Sequence, residues 1–331
     1  MLPDPAVMRR AVDVLAGVLA ACGGLLCGCA RSAPSSSLPR ASDAGGPTGW
    51  TALKAGSANL NAVSGVSDSA VWVVGDQGTI ARWDGVALSF ESSGTTANLR
   101  GVWALDTDHA YAVGDGGTFL ERKAGVWAPV AAGLTREVLT GVWADAQRVV
   151  AVGSHGTVVL GTTTGYALVP SSRGENLLAV SGTPGGTVTA VGALGLVLNL
   201  DGTTLSRFTI PAFSMLLSGV SRDASGNAYF VGQQGTVYYS GGSGVNAVTG
   251  CPQASLRAVT TAGADAWIVG WDGAICQVSA SGAVVHPFTD ARWFNGIYAA
   301  SPTSLWVVGA SGTLLHGLPT QAADGGLEGG P

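Results

Sequence analysis

A Val-Gly pair recurs seven times along this chain at a period of about 39 residues, and that period constrains the fold more than any other feature. Its glycines are Gly75, Gly114, Gly153, Gly192, Gly232, Gly270 and Gly309, spaced by 39, 39, 39, 40, 38 and 39 positions. After two intervening residues a Gly-Thr pair usually follows. One such unit cannot bury an apolar face alone, so the units must stack on one another. Periods of about 40 to 45 residues with several short strands per unit are the pattern of propeller blades. The prediction is an all-β, seven-bladed beta-propeller of four-stranded blades.

Residues 99–133 show how one blade is written. Leu99-Arg100-Gly101-Val102-Trp103 predicts a first strand and Ala110-Tyr111-Ala112-Val113 a second. Gly114-Asp115-Gly116-Gly117 predicts a tight hairpin in which glycine permits positive φ. Thr118-Phe119-Leu120 opens a third strand, and Val126 to Val130 form a fourth, where Pro129 suits an outer edge. The strands are apolar runs rather than strict alternations, as expected when both faces pack on neighbouring blades. Trp72, Tyr111, Tyr229, Trp267 and Trp306 each stand three residues before a marker glycine and are expected in the core. The last unit has only three strands, ending at Gly312-Thr313-Leu314-Leu315. Residues Gly49 to Leu53 match the fourth-strand pattern of Gly125 to Pro129, so the N-terminal strand is expected to complete the last blade and close the ring.

The chain begins with a targeting pattern. Arg9 and Arg10 precede residues 11–28, which are apolar apart from Asp13. Leu26-Cys27-Gly28-Cys29 matches a bacterial lipobox, with Leu19-Ala20-Ala21-Cys22 as the alternative. The expected organisation is a lipoprotein signal peptide over 1–28, lipidation at Cys29 (or Cys22), and a flexible Ser/Ala/Pro linker over 29–48. The propeller follows over 49–317 and a disordered tail over 318–331. Ala30 after the cysteine, rather than Asp, is compatible with sorting to an outer membrane. Net charge is −5 and stays −5 once residues 1–28 go, because Arg9, Arg10, Asp4 and Asp13 leave together. That balance excludes the electrostatic footprint of a nucleic-acid binder.

The repeat resembles the broad YVTN/BNR-like beta-propeller superfamily. Units such as Ala112-Val113-Gly114-Asp115-Gly116-Gly117-Thr118 and Val73-Val74-Gly75-Asp76-Gln77-Gly78-Thr79-Ile80 are similar to repeats of photosystem II stability and assembly factor-type propellers. The resemblance covers residues 49–317. It implies the propeller fold and a protein-binding or assembly role rather than one activity. The Asp-box of sialidases is missing, with only Asp84-Gly85 and Asp201-Gly202 as remnants. The Trp-Asp pair of WD40-like repeats occurs at Trp83-Asp84 and Trp271-Asp272 and does not repeat in register.

Little in the sequence points to chemistry. His109, His155, His286 and His316 fall in different blades at non-equivalent positions, without metal-ligand spacing. Asp106-Thr107-Asp108-His109 reads as a solvated turn, lacking the glycine and distal glutamate of a calcium loop. No nucleophile elbow or phosphate loop is present. The expectation is no catalytic residues, no metal and no cofactor. Beyond the signal region only Cys251 and Cys276 remain, and in an exported protein they are expected to pair.

The position after each first strand's leading apolar residue should ring the channel mouth. Blade by blade it holds Asn61, Arg100, Thr140, Leu178, Ser218, Arg257 and Asn295. Trp271, Arg292, Trp293 and Phe294 are expected nearby. The face carrying this ring collects Arg100, Arg136, Arg173, Arg257 and Arg292, whereas the opposite face is the more acidic. Arginine anchors interfaces because its planar fork binds carboxylates. The candidate site is therefore Asn61, Arg100, Arg257, Trp271, Arg292, Trp293 and Asn295. The partner is expected to be an envelope protein with an acidic loop or C-terminus, or else a glycan, with the membrane touched only by the lipid anchor. A monomeric, non-enzymatic scaffold is the leading expectation; a glycan-binding module, then a hydrolase or lyase, are the alternatives.

Overall fold

The computed structural model describes residues 49–318, apart from 172, 173, 209, 211–214, 287 and 289. The expected signal peptide, linker, Cys22, Cys29, Arg173 and tail beyond Leu318 lie outside the described residues.

Seven four-stranded antiparallel sheets make up the structure; six have their strands in sequence order from the axis outward, and the seventh takes its outermost strand from the N-terminus. Blade 2 comprises Leu99–Ala104, Ala110–Gly114, Phe119–Lys123 and Val126–Pro129, within a residue or two of the expected strands. Burial grades outward. The second strand of blade 1, Ala70–Gly75, is buried throughout, while its outermost strand, Leu88–Glu91, is exposed at Ser89 and Phe90. Trp72 and Trp306 are fully buried between sheets, and Trp267 and Tyr229 nearly so. Tyr111 is half-buried and donates its hydroxyl proton to Glu121 at 3.0 Å. Burial together with Glu121 raises the Tyr111 phenol far above its ordinary range.

The marker glycine does a different job from the one expected. Gly114 itself is extended, at φ −170°. A Cβ there would lie 2.2 Å from the carbonyl oxygen of Asn98, so glycine is needed for close approach rather than for backbone freedom. Positive φ belongs to the two residues at the turn's end, Gly116 and Gly117 in blade 2, Gln77 and Gly78 in blade 1.

The ring closes as expected. Trp50–Ala52 pairs antiparallel with the last strand, in the register Trp50↔Gly317, Thr51↔His316 and Ala52↔Leu315. Trp50 is buried with Leu305, Val307 and Leu315. Leu318 packs on the same cluster and extends the expected boundary by one residue. Burying Trp50 between the chain ends removes an open sheet edge and ties both termini into one blade.

Asp68 of blade 1 and Ser304, Trp306 and His316 of blade 7 form a second, side-chain closure. Ser304 donates to Asp68, Trp306 Nε1 donates to it at 3.3 Å, and His316 stacks on Trp306 at 4.1 Å. Although Ser304, His316 and Asp68 meet, they do not have the order of a nucleophilic triad. His316 Nε2 faces both Ser304 Oγ (2.9 Å) and Asp68 (3.5 Å), and Ser304 gives its proton to the carboxylate.

Candidate channel-mouth site

The first strands of all seven blades line one channel of about 710 Å³. In every blade the pairing of first and second strands slips by one residue at the same place, as between Leu99↔Gly114 and Gly101↔Val113. The extra residue is the ring position read from the sequence. A bulge leaves one residue outside the ladder and re-aims its side chain. Here it presents Asn61, Arg100, Thr140, Leu178, Ser218, Arg257 and Asn295 to the channel.

Below this ring stand only alanine and glycine: Ala62, Gly101, Gly141, Ala179, Gly219, Ala258 and Gly296. A Cβ on Gly101 would come within 3.2 Å of Gly141 Cα in the next blade, so side-chain size here sets how closely the blades converge. Val63, Val102, Val142, Val180, Val220, Val259 and Ile297 form the next, apolar ring. Toward the far end, Ser64 and Ser181 accept hydrogen bonds from the backbone N–H groups of Ala104 and Arg222 in the following blades.

Most of the mouth ring is occupied by structure. Asn61 Nδ2 donates to the Leu99 carbonyl at 2.8 Å, Thr140 to Leu177 at 2.8 Å, Ser218 to Leu256 at 2.5 Å and Asn295 to Leu60 at 3.0 Å. Each bond reaches the leading residue of the next blade, so these four side chains staple neighbours together around the axis. Arg100 is taken up within its own blade. Its Nε and Nη2 bind Asp115 at 2.8 and 3.0 Å. That pair raises the Arg100 guanidinium and holds the Asp115 carboxyl below its ordinary range.

Arg257 stands apart. Its guanidinium lies over the Trp271 ring, 5.4 Å from the centroid. Its Nε is buried and makes no hydrogen bond. Burial alone pushes its ionisation down, with no carboxylate beside it to compensate. Trp271 follows the marker glycine of blade 6, the position Asp115 holds in blade 2. It stacks on Trp293 with centroids 4.9 Å apart and planes at 19°. Trp293 remains 52% exposed, which makes it the outermost ring of the stack.

This stack replaces a polar staple. At three other junctions an asparagine before the first strand accepts from the turn of the preceding blade: Asn98 from Gln77 N–H, Asn176 from His155 N–H and Asn59 from Ser311 N–H, each at 3.0 Å. Trp293 occupies that asparagine position in blade 7. Arg292, also in the candidate set, is tied to Asp290 at 2.5 Å and lies 6.0 Å from the Phe288 ring. Neither Arg292 nor the two tryptophans line the channel itself; the tryptophans flank its mouth at the corner of blades 6 and 7.

Cys251 and Cys276 are joined, with Cα atoms 5.6 Å apart. The loop they close contains both Arg257 and Trp271. Sequence reading did not place Arg222 on the channel wall, where it is a third arginine, at the end opposite the mouth ring. It donates to Thr189 Oγ1 at 2.7 Å and to the Gly226 carbonyl at 2.5 Å. Arg100, Arg222 and Arg257 are the charged residues of the channel wall, and no carboxylate or histidine lines the wall itself among the described residues. No cluster of three or more potential metal ligands occurs among the described residues.

No protein-family model matches this chain, and no curated protein matches it in sequence. Solved structures do match in fold. A catalytically inactive virginiamycin B lyase from Staphylococcus aureus with quinupristin aligns with a TM-score of 0.73 at 12% identity, over 81% of this chain and 98% of that one. YCF48 bound to a D1 peptide aligns with a TM-score of 0.66 at 14% identity, over 82% and 97%. YCF48 from Cyanidioschyzon merolae aligns with a TM-score of 0.65 at 14% identity, over 82% and 99%. At these identities the likeness is one of fold, and one fold carries both a lyase and a peptide-bound protein.

Proposed function

We propose that this chain is a lipid-anchored propeller of the bacterial cell envelope, at the outer membrane, that binds a protein partner at the channel mouth and acts as a non-enzymatic interaction or assembly scaffold. The observation that carries this reading is Arg257, a desolvated cation at the mouth with no anion of its own. Leaving such a charge buried and unpaired costs stability, and a partner carboxylate recovers that cost on binding. The channel wall supports the sign of the ligand: Arg100 is neutralised by Asp115, but among the described residues Arg222 and Arg257 have no ion-pair partner, inside a chain of net charge −5. YCF48, which shares the fold, has been seen with a peptide bound.

Binding fits this wall better than acid–base chemistry. Apart from the arginines, the titratable group on the wall is Tyr298, which burial and then Asp68 push up to about 12. A general base works best with a pKa near the working pH. The half-exposed Trp293 ring favours a glycan as the second reading, because sugars stack on open indole faces.

The test is site-specific photocrosslinking in native membranes. With a photocrosslinker in place of Trp293, a discrete envelope protein is captured; in place of Val126, on the exposed outer strand of blade 2, it is not. Equal capture at both positions, or none at 293, contradicts the mouth as the binding site. Metabolic labelling with a radioactive fatty acid, lost in the Cys29→Ser variant, tests the anchor.

A further inference from the structure

The corner of blades 6 and 7 holds two features that together narrow the chemistry of the mouth-site ligand. Two of the buried donors without a hydrogen-bond partner, Arg257 Nε and Trp271 Nε1, stand side by side here; the others, Trp72 Nε1, Arg82 Nε and Arg222 Nε, lie elsewhere. Unsatisfied buried donors are rare in native proteins and cost about 1 to 3 kcal/mol each. In addition, a large aromatic surface is left open on Trp293, at the place where other junctions carry a polar staple.

The contact chain sets a ruler. The Arg257 guanidinium lies 5.4 Å from the Trp271 centroid, and Trp271 lies 4.9 Å from Trp293. A ring stacked on the free side of Trp293 adds one further aromatic spacing, about 4.5 to 7 Å. The anion-binding end and the stacking end are thus at most about 15 to 17 Å apart. An extended peptide covers that in about five residues at about 3.3 Å each.

We propose that this corner recognises an extended acidic-aromatic peptide segment, with a carboxylate side chain on Arg257 and an aromatic ring or proline within about five residues stacked on Trp293. The inference rests on the mouth-site reading and names the chemistry of its partner. A single uronic-acid sugar suits the corner less well. Its carboxylate is attached to the ring it would stack, whereas Trp271 intervenes here between the cation and the open indole face. A peptide separates the two groups along its backbone, so its carboxylate can meet the Arg257 guanidinium while its ring meets the open face of Trp293.

The test uses the whole propeller and a defined probe. The probe is a five-residue peptide, N-acetylated and C-amidated, with aspartate first, phenylalanine last and three alanines between, so that both end side chains face the same way in an extended chain. Binding is read by titration calorimetry and by the indole N–H signals of Trp271 and Trp293 in NMR. Saturable binding is expected, weakened about tenfold or more when asparagine replaces the aspartate, as for a lost charged hydrogen bond. Arg257→Gln should weaken the aspartate peptide by a similar factor. In Trp293→Ala, an exposed change that spares the core, peptides ending in phenylalanine and alanine should bind equally well. Each variant is checked by its melting temperature. Binding indifferent to the aspartate, indifferent to Trp293, or absent up to about 10 mM peptide overturns the proposal. Glucuronic acid binding in place of the peptide overturns it too. If the peptide fails while a protein is still captured at position 293 in membranes, only the ligand chemistry falls and the mouth-site reading stands.

Discussion

Blades 2 and 6 carry an arginine at the same bulge position, and the two arginines have opposite fates. Arg100 faces Asp115, the residue after its marker glycine, and is neutralised by two hydrogen bonds. Arg257 faces Trp271 at the equivalent place and is left without an anion. Blade 2 keeps a polar junction, with Asn98 accepting from the turn of blade 1, while the far side of blade 6 has a tryptophan stack instead. Blade 6 also has a disulfide, and it has His286 where blade 2 has Val130, each donating its backbone N–H to the third strand. A repeat scaffold thus specialises one corner by exchanging a few side chains at fixed positions and leaving the ladder alone.

The largest expected effect concerns the brace around that corner. Replacing Cys251 and Cys276 with serine should cost about 3 kcal/mol of stability, from the chain entropy of a closed loop of this size. Chemical denaturation with and without reductant measures it, and a wild type insensitive to reductant would mean the bridge does not form. Next in size is a transplant. Trp271→Asp gives blade 6 the pairing of blade 2, so Arg257 should be neutralised and anionic peptide binding should fall about tenfold or more with little change in melting temperature. Unchanged binding in that variant would show that the free cation is not what the ligand meets.

A smaller effect is pH-dependent. Burial holds the His286 imidazole below its ordinary 6.5, so the folded state resists protonation while the unfolded chain accepts it. Stability from this site is fully present above pH 6.5 and drains away as the pH falls below it. His286→Val, which copies blade 2, should flatten the melting temperature between about pH 6.5 and 5. A slope identical to wild type would place the proton uptake elsewhere. The smallest effect is Asp115→Asn. The pair is well exposed, so less than about 1 kcal/mol should be lost. The freed Arg100 should gain a weak anion affinity, detectable by chloride or acetate titration in NMR.

Blade number, strand order and ring closure were legible because each rests on a repeated pattern. The marker glycines count the blades, and Gly49 to Leu53 matches the strand that the last unit lacks. The mouth ring was legible for the same reason, since one position recurs in every first strand. What lies between positions was less so. The marker glycine reads as a turn residue, yet it is extended and exists to let the Asn98 carbonyl approach. Asn61 and Asn295 look like ligand-binding groups, but their amides are spent on the carbonyls of the next blade. The bulge that directs them has no residue signature of its own. The fate of Arg100 was within reach, because aligning the repeats places Asp115 opposite Arg100 and Trp271 opposite Arg257. The Asp68, Ser304, Trp306 and His316 closure joins residues from opposite ends of the chain and has no local pattern to betray it.

The most direct test compares the two arginines in one experiment. Arg100→Gln and Arg257→Gln are each introduced into the full chain, and crosslinked partner from native membranes is quantified beside wild type. Partner capture should survive Arg100→Gln and be lost in Arg257→Gln, with both variants melting close to wild type. Equal capture by the two variants would contradict the assignment of the mouth site to blade 6.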